Sequence, residues 1–265
     1  MQGKAVLKVG KELELKNVVS KFTVDFLVQA FVDYPKELGV FYVRYPNEQN
    51  GKITGIVEKE FLSVTGDGVS NIETLLYRTP RYVLQIPVLK KVLGEGMNRV
   101  LKEGENEVLV PYGNHVRGSL FLDSTYKRNK EIETVIDNAC KSINGFYYGR
   151  LDVRFNSFED LANNANWSII ELNGAGSEPT HMYDPKHSLF FAWKEIVRHW
   201  RILYKISLQN KRKGFPFLSY KEGMAMFRMN NLYVKQLSEI RFEKNDPAQK
   251  NTKENYREYQ LKVVR

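Results

Sequence analysis

The sequence predicts an α+β fold with an α-helical C-terminal extension, on three observations. Two short strands inside residues 148–179 flank a polar stretch at 156–167, each carrying a matched pair of polar side chains. Apolar residues recur at helical spacing in 130–144 and again in 187–214. The charge is divided: residues 191–265 hold 17 Lys/Arg against 7 Asp/Glu, which leaves the first 190 residues at −1 out of a total of +9.

Taken in order, residues 5–9 read as a strand, 12–21 as a short helix, 26–32 as a second strand and 39–45 as a third. A turn at 46–52 leads to a strand at 53–59 and then to FLSVTGDGVSNIETLL. Ser70 and Glu73 there have capping-box spacing, which starts a helix at Ser70 with Gly66-Asp67-Gly68 as the preceding loop. Backbone amides at such a start can bind an anion; a plain capped turn is the simpler reading. Residues 85–104 read as a helical connection with Val88, Val92 and Met97 on its apolar side.

Strands at 108–110 and 119–122 bracket a polar loop that presents Asn114, His115 and Arg117. Ile132, Val135, Ile136 and Ala139 make 130–144 an amphipathic helix. In the tail, Leu189, Trp193, Ile196, Trp200 and Leu203 form one stripe, expected to pack on the body. Lys194, Arg198, Arg201 and Lys205 form a basic stripe one position later, suited to an anionic surface or an acidic substrate. Short helices are expected at 218–229 and 231–242, and a frayed polar end beyond Glu243.

The strand pair at 148–179 carries the chemistry. Side chains at i and i+2 of a strand share a face, so Arg150 goes with Asp152 and Glu171 with Asn173. A simple antiparallel hairpin closed around 156–167 sets Asp152 opposite Glu171 and Arg150 opposite Asn173. Like charges facing each other are unfavourable, so a cation is expected between the two carboxylates. Hard oxygen ligands suit Mg2+. The plainer alternative is a polar-edged hairpin whose acids face water.

The rest of the composition bounds the answer. A chain of 265 residues with 42% hydrophobic content can bury a large core. One cysteine, Cys140, excludes an internal disulfide framework; no apolar run reaches membrane length and the first ten residues do not read as a signal peptide. A cytoplasmic location is the expectation. No Ser-His-Asp, zinc, P-loop or dinucleotide fingerprint is present.

The stretch GRLDVRF followed by IIELNGAGSEPTHMYDP resembles the metal-binding end of the ATP-grasp ligases, which include D-alanine:D-alanine ligase and cyanophycin synthetase. The segment VTGDGVSNIETLL is similar to a VxGDGxxTIEEL run of the amide-ligase branch. The resemblance covers roughly residues 1–187 and implies that Asp152, Glu171 and Asn173 hold Mg2+, or Mn2+ in its place, on ATP. By the same resemblance Arg150 and Arg117 are catalytic, facing the transferred phosphoryl or acyl-phosphate group. Gln29, Phe31 and Val32 line the adenine linker, and Glu37 holds the ribose. Asn114, His115, Gly174 and Ser177 lie toward the substrate, although Gly174 to Glu178 replaces the usual N-T-x-P-G run.

The chain begins after the lysine-bearing strand of that family, so the ATP-grasp fold is expected to be N-terminally incomplete. Residues 1–32 match the remnant of the small lid subdomain and hinge strand, 33–187 the large subdomain with the Mg-ATP site, and 188–265 a basic helical extension. The implied function is an ATP- and Mg2+-dependent ligase joining a small carboxylate to an amine through an acyl phosphate. The alternatives are an inactive nucleotide-binding module and a basic adaptor on lipid or nucleic acid. ATP and the two small substrates are the expected partners, with no nucleic acid, no transmembrane segment, weak contact of the basic tail with anionic surfaces, and a homo-oligomer among the forms the resemblance allows.

Overall fold

The structure, a computed structural model, describes residues 7–110, 118–240 and the backbone of 259–262. In chain order these form β1 (Leu7–Val9), α1 (Glu12–Val19), β2 (Leu27–Ala30), β3 (Lys36–Val43), β4 (Lys52–Glu60), β5 (Leu62–Thr65), α2 (Ile72–Tyr77), α3 (Pro80–Val83) and α4 (Ile86–Leu93). There follow β6 (Asn106–Val110), β7 (Leu120–Asp123), α5 (Lys130–Lys141), β8 (Tyr148–Phe155), α6 (Phe158–Ala162), β9 (Trp167–Asn173), α7 (Leu189–Arg212), α8 (Tyr220–Glu239) and β10 (Tyr259–Lys262). The architecture is mixed α and β with an antiparallel sheet and a helical C-terminal part.

The chain divides into two compact units, residues 34–214 and residues 1–33 with 215–265. This division differs from the expected boundary at 187/188. The reason lies in α7, whose Ile202 and Ile206 pack with Phe41, Val43 and Tyr148 and so tie that helix to the sheet.

In the unit of 34–214, five antiparallel strands run in the order β7-β4-β3-β8-β9. One sheet face is apolar. Leu38, Val40, Tyr42, Ile53, Ile56, Leu151, Val153 and Phe155 pack there against Ile132, Ile136 and Cys140 of α5 and Leu161 of α6. Each such side chain contributes about 1.5–3 kcal/mol on burial. Helix α5 starts where Asn129 accepts the amide of Ile132, and acids Glu131 and Glu133 stand in its first turn. Within that layer the Tyr42 hydroxyl donates to Asp137 Oδ1 at 2.6 Å. The other sheet face carries the charged residues described below.

Strands β5 and β6 with α2 and α4 make a smaller layer around Leu62, Ile72, Leu76, Ile86 and Leu89. Two sequence expectations change here, the cap of α2 and the inner face of α4, while the turn before α2 is the plain one. The cap of α2 is Asn71, which accepts the amide of Thr74, not Ser70. Asp67 accepts the amides of Val69 and Ser70 itself, so its own carboxylate occupies the donors that could have met an anion. Val88 and Val92 are exposed, and Ile86 and Leu89 are the buried positions of α4. The strands before and after residues 111–117 belong to different sheets, β6 with β5 and β7 with β4.

The stripe expected to bury α7 is split: Ile196 is half-buried and Leu203 packs on the core beside Ile202 and Ile206, while the rest faces the solvent. Leu189, Trp193 and Trp200 are exposed, and the buried positions are Glu195, His199, Ile202 and Ile206, about 100° away round the helix. Polar residues can take the inner face because they find partners there: Glu195 lies 3.2 Å from His181 Nε2, and His199 Nδ1 lies 3.5 Å from the Tyr148 hydroxyl.

In the second unit, β10 pairs between β1 and β2 in an antiparallel three-stranded sheet. Val9 and Val18 are buried among Leu15, Phe22 and Phe26. A capping box of Ser219 and Glu222 opens α8, and the Tyr233 hydroxyl donates to the Asp25 carbonyl. The expectation of a frayed end beyond Glu243 is corrected at 259–262, which form a strand; a four-residue run is too short for its alternation to stand out from polar surroundings. Residues 241–258 lie outside the described residues.

Candidate functional site: a buried charge cluster on the sheet

The site grows from the register of three strands. Glu37 on β3 pairs with Arg154 on β8, Gly39 with Asp152 and Phe41 with Arg150. On the other side of β8, Arg150 pairs with Asn173 of β9 and Asp152 with Glu171. Both facing pairs read from the hairpin are therefore present. The connection that produces them is not a simple loop, because the inner pairs Phe155 with Trp167 and Val153 with Ile169 are offset by one residue. A bulge after Asp152 takes up the difference. Ser157 caps α6 inside the connection, and Asp160 accepts from Asn156, Ser157 and Asn166. Asn164 and Asn166 take the left-handed turn positions that asparagine tolerates.

Asp152 meets cations of the chain itself, one of them shared with Glu37. Lys59, from β4, lies 2.8 Å from Glu37 Oε1 and 3.1 Å from Asp152 Oδ2. Arg150 reaches the same carboxylate, Nε at 2.8 Å from Oδ1 and Nη2 at 3.3 Å from Oδ2. Arg154 Nε stands 3.3 Å from Glu37 Oε2. Gly39 leaves room for this crossing, since a Cβ there would lie 2.7 Å from Val57 and 3.3 Å from the Arg150 stem.

Glu37, Lys59 and Asp152 are all buried. Burial pushes the Asp152 carboxyl up, but the Lys59 ammonium and the Arg150 guanidinium outweigh it and hold the group below its ordinary range. Burial likewise opposes charge on Lys59, and Asp152 with Glu37 overcomes it, leaving the ammonium above its usual value. Arg150 is kept charged against burial by Asp152, with smaller help from Glu171 and Glu178.

Glu171 and Asn173 stand side by side on the outer strand β9. Glu171 is exposed, while the Asn173 amide nitrogen is buried with no hydrogen-bond partner among the described residues. After them the chain turns sharply: Ser177 donates its hydroxyl to the Gly174 carbonyl at 2.7 Å and its amide to the same oxygen at 3.0 Å. The Tyr183 hydroxyl donates to Glu178, and burial first, then that contact, pushes its phenol up to about 12.

The chain then folds back over the charged face. Asp184 accepts the Asp123 amide, His187 Nε2 sits 2.7 Å from Asp123 Oδ2, and His181 closes over Gly55, where a Cβ would lie 2.2 Å from the imidazole. Beneath α7, Glu195 is shared by His181, by Arg198 at 3.0 Å and by His199 at 3.7 Å. Burial pushes His199 down to about 4 against the pull of Glu195.

Among the described residues no three His, Cys, Asp or Glu side chains are grouped to hold a metal ion by themselves. Asp152 has both oxygens in ion pairs with Lys59 and Arg150. Glu171 and Asn173 fit a hard divalent cation that completes its shell with phosphate oxygens, since one carboxylate and one amide carbonyl lie adjacent on one strand face.

The other residues singled out in the sequence fall elsewhere. Glu37, expected at the ribose, lies inside the cluster, 5% exposed and paired with Lys59 and Arg154. Gln29 lies in β2 opposite Gln260 of β10, with Phe31 and Val32 just beyond the strand end, in the second unit. Asn114, His115 and Arg117 lie outside the described residues. Lys59 and Arg154 were not singled out. The available signal for Lys59 was a lysine flanked by acids at the end of a strand otherwise rich in Ile and Val.

No family model matches the chain, and no curated protein matches it. Among solved structures it is similar to a bifunctional glutathione synthetase from Pasteurella multocida, with a TM-score of 0.42 and 15% identity over 63% of this chain. The match covers 24% of that protein, so the chain spans about a quarter of its length.

Proposed function

We propose that the chain is the nucleotide-binding part of an ATP-grasp ligase of the amino-acid or peptide type, joining a carboxylate to an amine. The observation that supports this reading is the β8–β9 register, with Arg150 opposite Asn173 and Asp152 opposite Glu171 on the charged sheet face. Bound Mg·ATP supplies the phosphoryl group that activates the carboxylate as an acyl phosphate.

Each residue then has a role that follows from its surroundings. Glu171 and Asn173 bind the metal on the open strand. Arg150, held charged by its acidic neighbours, balances charge on the transferred group. Lys59 and Arg150 keep Asp152 ionised and fixed beside β9, and Glu37 is fixed in the same way between Lys59 and Arg154.

A second reading, an inert nucleotide-binding module, draws on the ion pairs that already occupy Asp152. The two separate in one experiment. Phosphate release from ATP is followed with paired carboxylates and amines, for the native chain and for Glu171→Gln. The ligase releases phosphate only when both substrates are present and loses that release in the variant. Nucleotide binding with no release from any pair assigns the inert module.

A further inference from the structure

Helix α7 buries one face and leaves an aromatic one in water. Trp193 is 53% exposed and Trp200 68%, and Leu189, Phe190 and Tyr204 are exposed with them. A soluble surface rarely keeps such a contiguous apolar stripe without an occupant. Lys194, Arg201 and Lys205 follow beside it, all exposed, and none has an ion-pair partner among the described residues. The two stripes meet in a groove of about 620 Å³ whose apolar walls include Tyr45, Trp193, Val197 and Ile202.

We propose that this edge of α7 docks the protein on an anionic lipid bilayer, with Trp193, Trp200 and Tyr204 in the interface and Lys194, Arg201 and Lys205 on the lipid phosphates. The argument is charge and shape together. A helix with a Trp-rich apolar face beside a row of Lys and Arg lies in the plane of a headgroup layer, where aromatic rings and aliphatic side chains are covered at once. No helix of the described residues is long and apolar enough to cross a membrane, so α7 lies on the surface. A second copy of the same edge would oppose cation to cation. A nucleic acid would satisfy the cations but leave Leu189 and Val197 uncovered, since bases stack on rings.

The inference is independent of the ligase reading and is tested without nucleotide. The chain is floated with vesicles of phosphatidylcholine alone and of phosphatidylcholine with phosphatidylglycerol, at physiological salt. Binding to the anionic vesicles and not to the neutral ones is expected. Each cation removed lowers it roughly five-fold, so Lys194→Gln/Arg201→Gln/Lys205→Gln binds on the order of 100-fold more weakly. Trp193→Gln/Trp200→Gln also binds more weakly, with circular dichroism unchanged because both sites are exposed. The proposal is overturned by equal binding of the triple variant and native chain, by no preference for anionic vesicles, by release with soluble glycerol phosphate, or by tighter binding to an RNA oligonucleotide at the same salt.

Discussion

Lys59 Nζ stands 3.1 Å from Asp152 Oδ2 and 2.8 Å from Glu37 Oε1, which makes one lysine the counter-ion of two buried carboxylates on different strands. Their charges are compensated inside the sheet, and the carboxylate most exposed to an incoming cation is the outer one, Glu171.

Lys59→Met tests that compensation. The apolar stem is kept and the charge lost, leaving Glu37 to Arg154 and Asp152 to Arg150. Removing one partner from a buried ion cluster costs about 3–5 kcal/mol, and the remaining arginines put the expected loss near the lower end. Urea unfolding measures it. A loss below about 1 kcal/mol would show that the cluster is solvated like a surface pair.

Gly149→Ala tests the hairpin register. A Cβ at Gly149 would lie 2.2 Å from the Asn173 carbonyl oxygen and 2.8 Å from the Phe146 ring. The backbone of β9 has to move away at the level of Asn173, at a cost of about 1–3 kcal/mol. Nucleotide affinity should fall with stability, because Asn173 and Glu171 move together. Unchanged affinity would separate the register from binding.

Stability should fall with acid through His199. Its folded pKa, pushed down to about 4, lies below the unfolded value near 6.5, so the unfolded chain binds the proton more tightly. The contribution is complete above pH 6.5 and is lost as pH falls toward 4, on the order of 3 kcal/mol in all. Glu195, which burial pushes up but His181 and Arg198 together hold low, acts in the same direction at lower pH. Denaturant midpoints of the native chain and His199→Phe, compared across this range, check it: the variant should lose less stability between pH 7 and 4. Parallel curves would assign the acid sensitivity to other groups.

The sequence carried the parts of the site that depend on local spacing. Period-2 alternation put Arg150 with Asp152 and Glu171 with Asn173, and the facing pairs followed, although a bulge and the short helix α6 replaced the simple loop. Lys59 was hidden because its partners lie 22 and 93 positions away on other strands. A strand order, unlike an alternation, is not written in any one segment. The face of α7 was misread for a related reason: hydrophobicity marks Trp193 and Trp200, while burial of Glu195 and His199 depends on partners that only the fold brings close. The tail strand β10 was invisible because its ladder is made with β1 and β2, more than 200 residues upstream.

Calorimetric titration with ATP, with and without Mg2+, on the native chain and on Glu171→Ala tests whether metal and nucleotide sit on β9. Glu171 is exposed, so its truncation leaves the fold intact. Binding is expected to require Mg2+ and to be weakened at least ten-fold by the substitution, about 1.4 kcal/mol. Binding that is equal in both chains, or indifferent to Mg2+, would contradict the placement of metal and nucleotide on β9.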